Sequence, residues 1–240
     1  MAEGTVRAAL VTGGTRGIGY AIARRLANEG FTVTISGQSA KSVEAALGDF
    51  RKEGLDVAGR PADARKQEDQ EALVRFAAER SGRLDVLVNN AGIGETERVD
   101  RMDPETFRAI IETNLYGPFY ALRAAAPIMR RHGGGYVINI ASLAAVNPIP
   151  GGAAYNASKF GLLGFSEASM LDLRHDGIRV SAILPGSVAT DMQGDLGRGG
   201  PDSWMLSPED VAEAVFALIR FPDRALPSRL DLRPSRPPKK

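Results

Sequence analysis

Tyr155 and Lys159 stand four residues apart in the run Tyr155-Asn156-Ala157-Ser158-Lys159. On a helix of 3.6 residues per turn that spacing stacks a phenol and an ammonium on one face. Free tyrosine titrates near pH ~10 and exchanges protons poorly at neutrality, whereas a fixed cation beside it stabilises the phenolate and lowers that value. Each unit is worth ~1.4 kcal/mol, so a lysine within a few ångströms brings a phenol toward the working range of an acid-base catalyst. The same pair also occurs on ordinary helix surfaces, and its meaning depends on residues upstream.

Upstream, Thr12-Gly13-Gly14-Thr15-Arg16-Gly17-Ile18-Gly19 spaces its glycines as G-x-x-x-G-x-G. The apolar run 6–11 precedes it, and Ile18, Ala21, Ile22 and Leu26 follow at helical spacing, with Gly30 as a stop. A strand, a glycine turn and a helix form a phosphate cradle. The chain turns tightly, bare backbone approaches a pyrophosphate, and the amides of a helix N-terminus meet its negative charge. This context predicts nucleotide binding.

The elements that must position these groups alternate along the chain. Apolar runs at 31–36, 56–60, 84–89, 136–140, 179–184 and 229–232 predict further strands. Helical patterns cover 40–53, 67–80, 153–175 and 208–221, and a long helix opens at the Asp103-Pro104 cap and runs toward His132. Alternation of this kind predicts an α/β fold: one Rossmann-like, doubly wound parallel sheet of about seven strands with helices on both faces. Ligands then collect beyond the carboxyl ends of the strands, where residues 13–19, 89–92, Ser142 and Pro185-Gly186 converge.

With 240 residues, 43% of them apolar, the chain can bury one large core, and residues 1–240 read as a single domain. A net charge of +1 sets up no global field toward nucleic acid or an anionic membrane. The basic, proline-rich tail 233–240 reads as a solvated end. Cysteine is absent and histidine is limited to His132 and His175, which removes thiolate chemistry and predicts no metal site. Neither a signal-peptide pattern nor 18 uninterrupted apolar residues occur, so the expectation is a soluble, cytoplasmic protein without membrane association.

The ordered set of residues 12–19, Asn89-Asn90-Ala91-Gly92, Asn114, Ser142, Tyr155-x-x-x-Lys159 and Pro185-Gly186 with Thr190 resembles the short-chain dehydrogenase/reductase family, over residues 6–190. The likeness is greatest to 3-oxoacyl carrier-protein reductases and carbonyl reductases. It implies the strand order 3-2-1-4-5-6-7. It also implies that Tyr155 protonates a substrate carbonyl as hydride arrives from the nicotinamide, and that Lys159 lowers the tyrosine pKa and binds the nicotinamide ribose. Ser142 would hold the carbonyl oxygen, and Asn114 would keep a water in a relay toward Lys159. Read alone, Asn114 fits a kink or a capping group equally well. Such chemistry needs a hydride, a proton and a dipole at the oxygen, and no metal.

The resemblance places Gly13, Arg16, Gly17, Ile18 and Gly19 around the phosphates and Asp63 at the adenine. Asn90, Ala91 and Gly92 would lie along the adenosine and ribose, and Pro185, Gly186, Val188 and Thr190 at the carboxamide, with Asn89 bracing the sheet. An NAD enzyme usually ends its second strand in an acid; here Ser36-Gly37-Gln38-Ser39-Ala40-Lys41 has none before Glu44. Arg16, Ser36, Gln38, Ser39 and Lys41 would meet a 2′-phosphate without repulsion, so NADP(H) is favoured over NAD(H). Gln38 stands where the family often has arginine.

The glycine-rich stretch 187–206 reads as a small lid, with Met192, Leu196, Trp204 and Met205 as apolar wall candidates. The expected substrate is a small-molecule or thioester carbonyl compound. The family usually packs the apolar helix around residues 160–165 against its symmetry mate, which implies a homodimer or homotetramer. An NAD-dependent alcohol dehydrogenase and a non-catalytic cofactor-binding protein are the competing readings.

Overall fold

The computed structural model describes residues 7–190 and 204–238. Seven strands, β1 (Arg7–Val11), β2 (Phe31–Gly37), β3 (Val57–Pro61), β4 (Val86–Asn89), β5 (Gly135–Ile140), β6 (Ile178–Pro185) and β7 (Arg229–Leu232), form one sheet in the order β3-β2-β1-β4-β5-β6-β7. Every neighbouring pair is parallel. The strand order reverses between β1 and β4, and that switch opens a crevice at the carboxyl edge.

Period-two side chains feed two layers. From β1 and β4, Ala9, Val11, Val86 and Val88 join one buried cluster, while Leu10 and Leu87 join the other. The first is closed by helices α1 (Gly17–Asn28), α2 (Ala40–Lys52) and α7 (Pro208–Arg220), through Ile22, Leu26, Phe50, Val215 and Phe216. The second is closed by α3 (Gln67–Ser81) and α5 (Gly117–Arg131), through Leu73, Val74, Leu122 and Met129. Burial on both faces is why the central strands read as unbroken apolar runs.

Local signals fix the helix starts. Ser39 accepts from the Ser42 amide at the head of α2, Asp103 caps α4 (Pro104–Ile111) with Pro104 in its first turn, and Ser207 and Asp210 form a reciprocal capping box on α7. The continuous helix expected from 104 to 132 is interrupted: between α4 and α5, Glu112–Tyr116 make a π-helical turn, with Asn114 at its centre. Helix α6 (Ala153–Leu173) carries Tyr155 and Lys159 and passes into a 3-10 turn, Arg174–Asp176, before β6. Among the described residues no helix is long and apolar enough to cross a membrane.

Candidate active site

The glycine turn between β1 and α1 is shaped by three different demands. Gly17 has φ +54°, a left-handed conformation that favours glycine. A Cβ on Gly13 would stand 2.9 Å from the Cα of Ala91, so this turn lies directly against the loop after β4. At Gly19 a Cβ would reach 2.3 Å from the Gly13 carbonyl oxygen and 2.4 Å from Asn90 Nδ2. The Asn90 carboxamide donates to the carbonyls of Thr12 and Gly13, and the Thr12 hydroxyl accepts from the amides of Asn90 and Ala91. Asn90 therefore braces the turn with its side chain. Asn89 does its work in the sheet, donating to Asn139 Oδ1 at 2.8 Å. Arg16 caps α1 in an extended conformation and provides no side-chain hydrogen bond to the helix amides, which leaves the helix N-terminus suited to an anion.

A cavity of about 740 Å³ runs along this edge. Its walls include Gly13, Arg16, Gly17, Ile18, Gly19, Ser36, Gln38, Ser39, Asp63, Asn90, Ala91, Gly92, Tyr155, Lys159 and Thr190. Asn114, Ser142, Pro185, Gly186 and Val188 lie outside that lining. Val188 is buried in the first core cluster and bridges to Leu206. Gly186 is backed by Leu143 and Pro234, and its amide donates to the Leu232 carbonyl. Lys41 does not line the cavity, whereas Thr15, Ser42 and Arg65 do. Ser36 is buried, and its hydroxyl accepts from the Gly13 amide at 3.2 Å, so it supports the turn from beneath. Arg65 grips Asp63 with both Nε and Nη2 and holds its carboxyl below the usual carboxylate range. A polar group presented to Asp63 therefore meets an oriented carboxylate.

At the other end, Lys159 is buried and Nζ donates to the Ile140 carbonyl at 3.0 Å. Burial pushes its pKa down to about 8. Tyr155 is half-buried, and the Lys159 ammonium lies 5.7 Å from its ring centroid. Desolvation raises the Tyr155 pKa, and a hydrogen bond with Ser142 acts in the opposite direction. Ser142 follows β5, and its oxygen also accepts from the Ala144 amide at 3.1 Å.

Asn114 is fully buried within the π-turn, and its Oδ1 accepts from the Ile93 amide at 2.9 Å. Nδ2 donates to the Ile93 carbonyl at 2.8 Å and to Ser158 Oγ at 3.0 Å. The 92–94 loop thereby closes on the acid-base pair: a Cβ on Gly92 would lie 3.7 Å from Lys159 Nζ, and one on Gly94 would lie 3.0 Å from Tyr155 Cδ2. Gly94, Arg65 and Ser158 are additions to the sequence-based set. Trp204 is partly exposed at the start of the second described stretch, and Met192 and Leu196 fall outside the described residues.

A family model described as short chain dehydrogenase matches residues 7–199. The chain belongs to the short-chain dehydrogenase family. Members are oxidoreductases acting on hydroxyl and carbonyl groups, and this chain is one of them. It is 36% identical over 227 residues to a 3-oxoacyl-[acyl-carrier-protein] reductase of Synechocystis sp., covering 92% of each chain. It is 33% identical over 228 residues to a 3alpha-hydroxysteroid dehydrogenase of Mediterraneibacter gnavus, covering 88% of this chain and 89% of that one. Among solved structures, a variant of actinorhodin polyketide ketoreductase with NADPH superposes with a TM-score of 0.89 at 33% identity, covering 98% of both chains.

Proposed function

We propose that the protein is an NADPH-dependent reductase of ketones, including 3-oxoacyl thioesters, with Tyr155 as proton donor. The observation that carries this is the juxtaposition of Tyr155, hydrogen-bonded to Ser142 behind it, with buried Lys159 in one wall of a cleft whose far end is a glycine turn at a helix N-terminus. When bound, a nicotinamide dinucleotide supplies the hydride. The residues present suit that group: backbone of the 13–19 turn and the α1 N-terminus for its pyrophosphate, and the Asp63 carboxylate for its adenine.

Ser142 orients the phenol and offers a second donor where negative charge grows on the substrate oxygen. A phenol kept protonated by burial is a competent acid for reduction, since it holds the proton to be delivered. Lys159, held near 8 and 5.7 Å from the centre of the tyrosine ring, is a second group beside the acid that can titrate near neutral pH. NADPH is favoured because Gln38 and Ser39, at the end of β2, carry no charge to repel a 2′-phosphate, and Arg16 and Arg65 are cations in the same cleft. The solved relative with NADPH adds support.

Tyr155→Phe should lower kcat at least a thousandfold while NADPH still binds with its wild-type Kd; ready turnover by that variant would mean another group is the acid. Assembly belongs to the same proposal. Phe107, Tyr116, Phe119, Phe160 and Leu171 are large apolar side chains exposed on α4, the π-turn, α5 and α6, and nothing lies within 4 Å of a Cβ built on Gly164. Such a face fits a homodimer or homotetramer. A sedimentation mass equal to one chain would overturn that.

A further inference from the structure

Ser158 separates the two acid-base residues in sequence yet plays no part in the reaction as described so far. Its side chain is completely buried, at 0% exposure, as is that of Asn114. Its hydroxyl donates to the Tyr155 carbonyl at 2.8 Å and accepts from Asn114 Nδ2 at 3.0 Å. The direction of each bond is forced. A backbone carbonyl can only accept, so the single hydroxyl proton goes to Tyr155 and the oxygen is left to receive an Asn114 proton. The second Nδ2 proton goes to the Ile93 carbonyl, and Oδ1 receives the Ile93 amide. Both hydrogens of the carboxamide and its oxygen are engaged, and turning the amide over would set like against like at Ile93.

This chain of bonds joins three elements distant in sequence: α6, the π-turn and the loop after β4. Ile93 sits between the two glycines that approach the site, Gly92 near Lys159 Nζ and Gly94 against the Tyr155 ring. The loop position is therefore tied to α6 at the residue next to Lys159. A serine bonded to the carbonyl three residues back is common in helices and needs no function. The second bond, to a buried amide 44 residues away, exceeds that local role.

We propose that Ser158 is a positioning residue: its hydroxyl fixes the Asn114 carboxamide, and through Ile93 the 92–94 loop, against Tyr155 and Lys159. The inference rests on the reading of Tyr155 as proton donor. Removing the hydroxyl leaves one buried Asn114 N–H without an acceptor and frees the amide to rotate. The glycine turn and Asp63, which would hold the pyrophosphate and adenine, keep their own contacts.

The test compares wild type, Ser158→Ala, Ser158→Cys, Asn114→Ala and the Ser158→Ala/Asn114→Ala double variant, with NADPH and a reducible ketone. Ser158→Ala is expected to lower kcat about tenfold, displace the pH profile of kcat and leave the NADPH Kd, read by fluorescence, unchanged. The double variant should be no slower than Asn114→Ala, because both changes act through one amide. A wild-type kcat and pH profile in Ser158→Ala overturns the inference even if its melting temperature falls, and so does full additivity with Asn114→Ala. If Ser158→Ala does not fold, Ser158→Cys decides: a displaced profile supports the role and an unchanged one overturns it. An inactive Tyr155→Phe beside a normal Ser158→Ala removes only the positioning role, whereas an active Tyr155→Phe removes the parent reading.

Discussion

Lys159 Nζ donates to the Ile140 carbonyl at the end of β5, 3.0 Å away, and the lysine is buried at the floor of the cleft. That single bond compensates an ammonium only in part, and burial brings its pKa from 10.5 to about 8. The unfolded chain therefore holds more protons than the folded one between those two values, and stability must rise with pH across that window. The penalty is fully present below pH 8 and gone above about 10.5.

Lys159→Met should consequently be more stable than wild type at pH 7, by about 2 kcal/mol after allowing for the lost bond to Ile140, while losing reductase activity. The gap should close as the pH passes from 8 to 10.5. Urea denaturation at several pH values measures this; a gap that stays constant with pH would show that the lysine is not desolvated.

The glycine turn ranks its own substitutions. Gly19→Ala drives a methyl into the Gly13 carbonyl and Asn90, both parts of the braced turn, and should cost about 3 kcal/mol and cofactor binding together. Gly17→Ala meets only the Thr190 methyl at 3.4 Å, and its cost of about 1 kcal/mol comes from φ +54°. Thermal melts with and without NADPH order the two; the reverse order would be inconsistent with the packing described.

Gly94→Val should disturb the proton donor without touching the cofactor cleft's far end. Its added carbons fall on the Tyr155 ring, so kcat should drop by about tenfold or more while NADPH affinity stays within about twofold. Steady-state kinetics beside a fluorescence titration separates the two effects.

Cofactor choice should respond at Gln38. Gln38→Arg places a third cation beside Arg16 and Arg65 in the cleft and should lower the KM for NADPH about tenfold, leaving that for NADH little changed. An equal effect on both cofactors would place the 2′-phosphate elsewhere.

The strands of the sheet, the glycine turn and the Tyr/Lys helix were legible because each leaves a residue pattern: unbroken apolar runs, glycines at fixed spacing, an i,i+4 pair; the strand order followed from the family resemblance. The π-turn was not, since widening one turn around Asn114 changes which carbonyl each amide meets without changing residue types. Ser36 lines the cleft, and the bond by which its hydroxyl also supports Gly13 depends on how β2 packs beside the turn, which leaves no pattern in the sequence. The Arg65–Asp63 pair leaves no such pattern, because a charge two residues away in a turn carries no periodic signal. Burial of the tyrosine is likewise a property of the assembled layers, which spacing along the chain does not carry.

The wide turn between α4 and α5 also locks the angular phase of that helical rod. Successive residues of an α-helix step by about 100°, so deleting one residue from 112–116 to restore regular winding would rotate everything beyond it by that amount. Asn114 could then face Ile93 and Ser158 only if Phe119 swung off its outward stripe, and Phe119 could keep its bearing only if the carboxamide turned away from Ile93 and Ser158. Insertions and deletions in this pentapeptide should be far less tolerated than substitutions on either side of it, because one extra residue lets a single rod serve two separate directions.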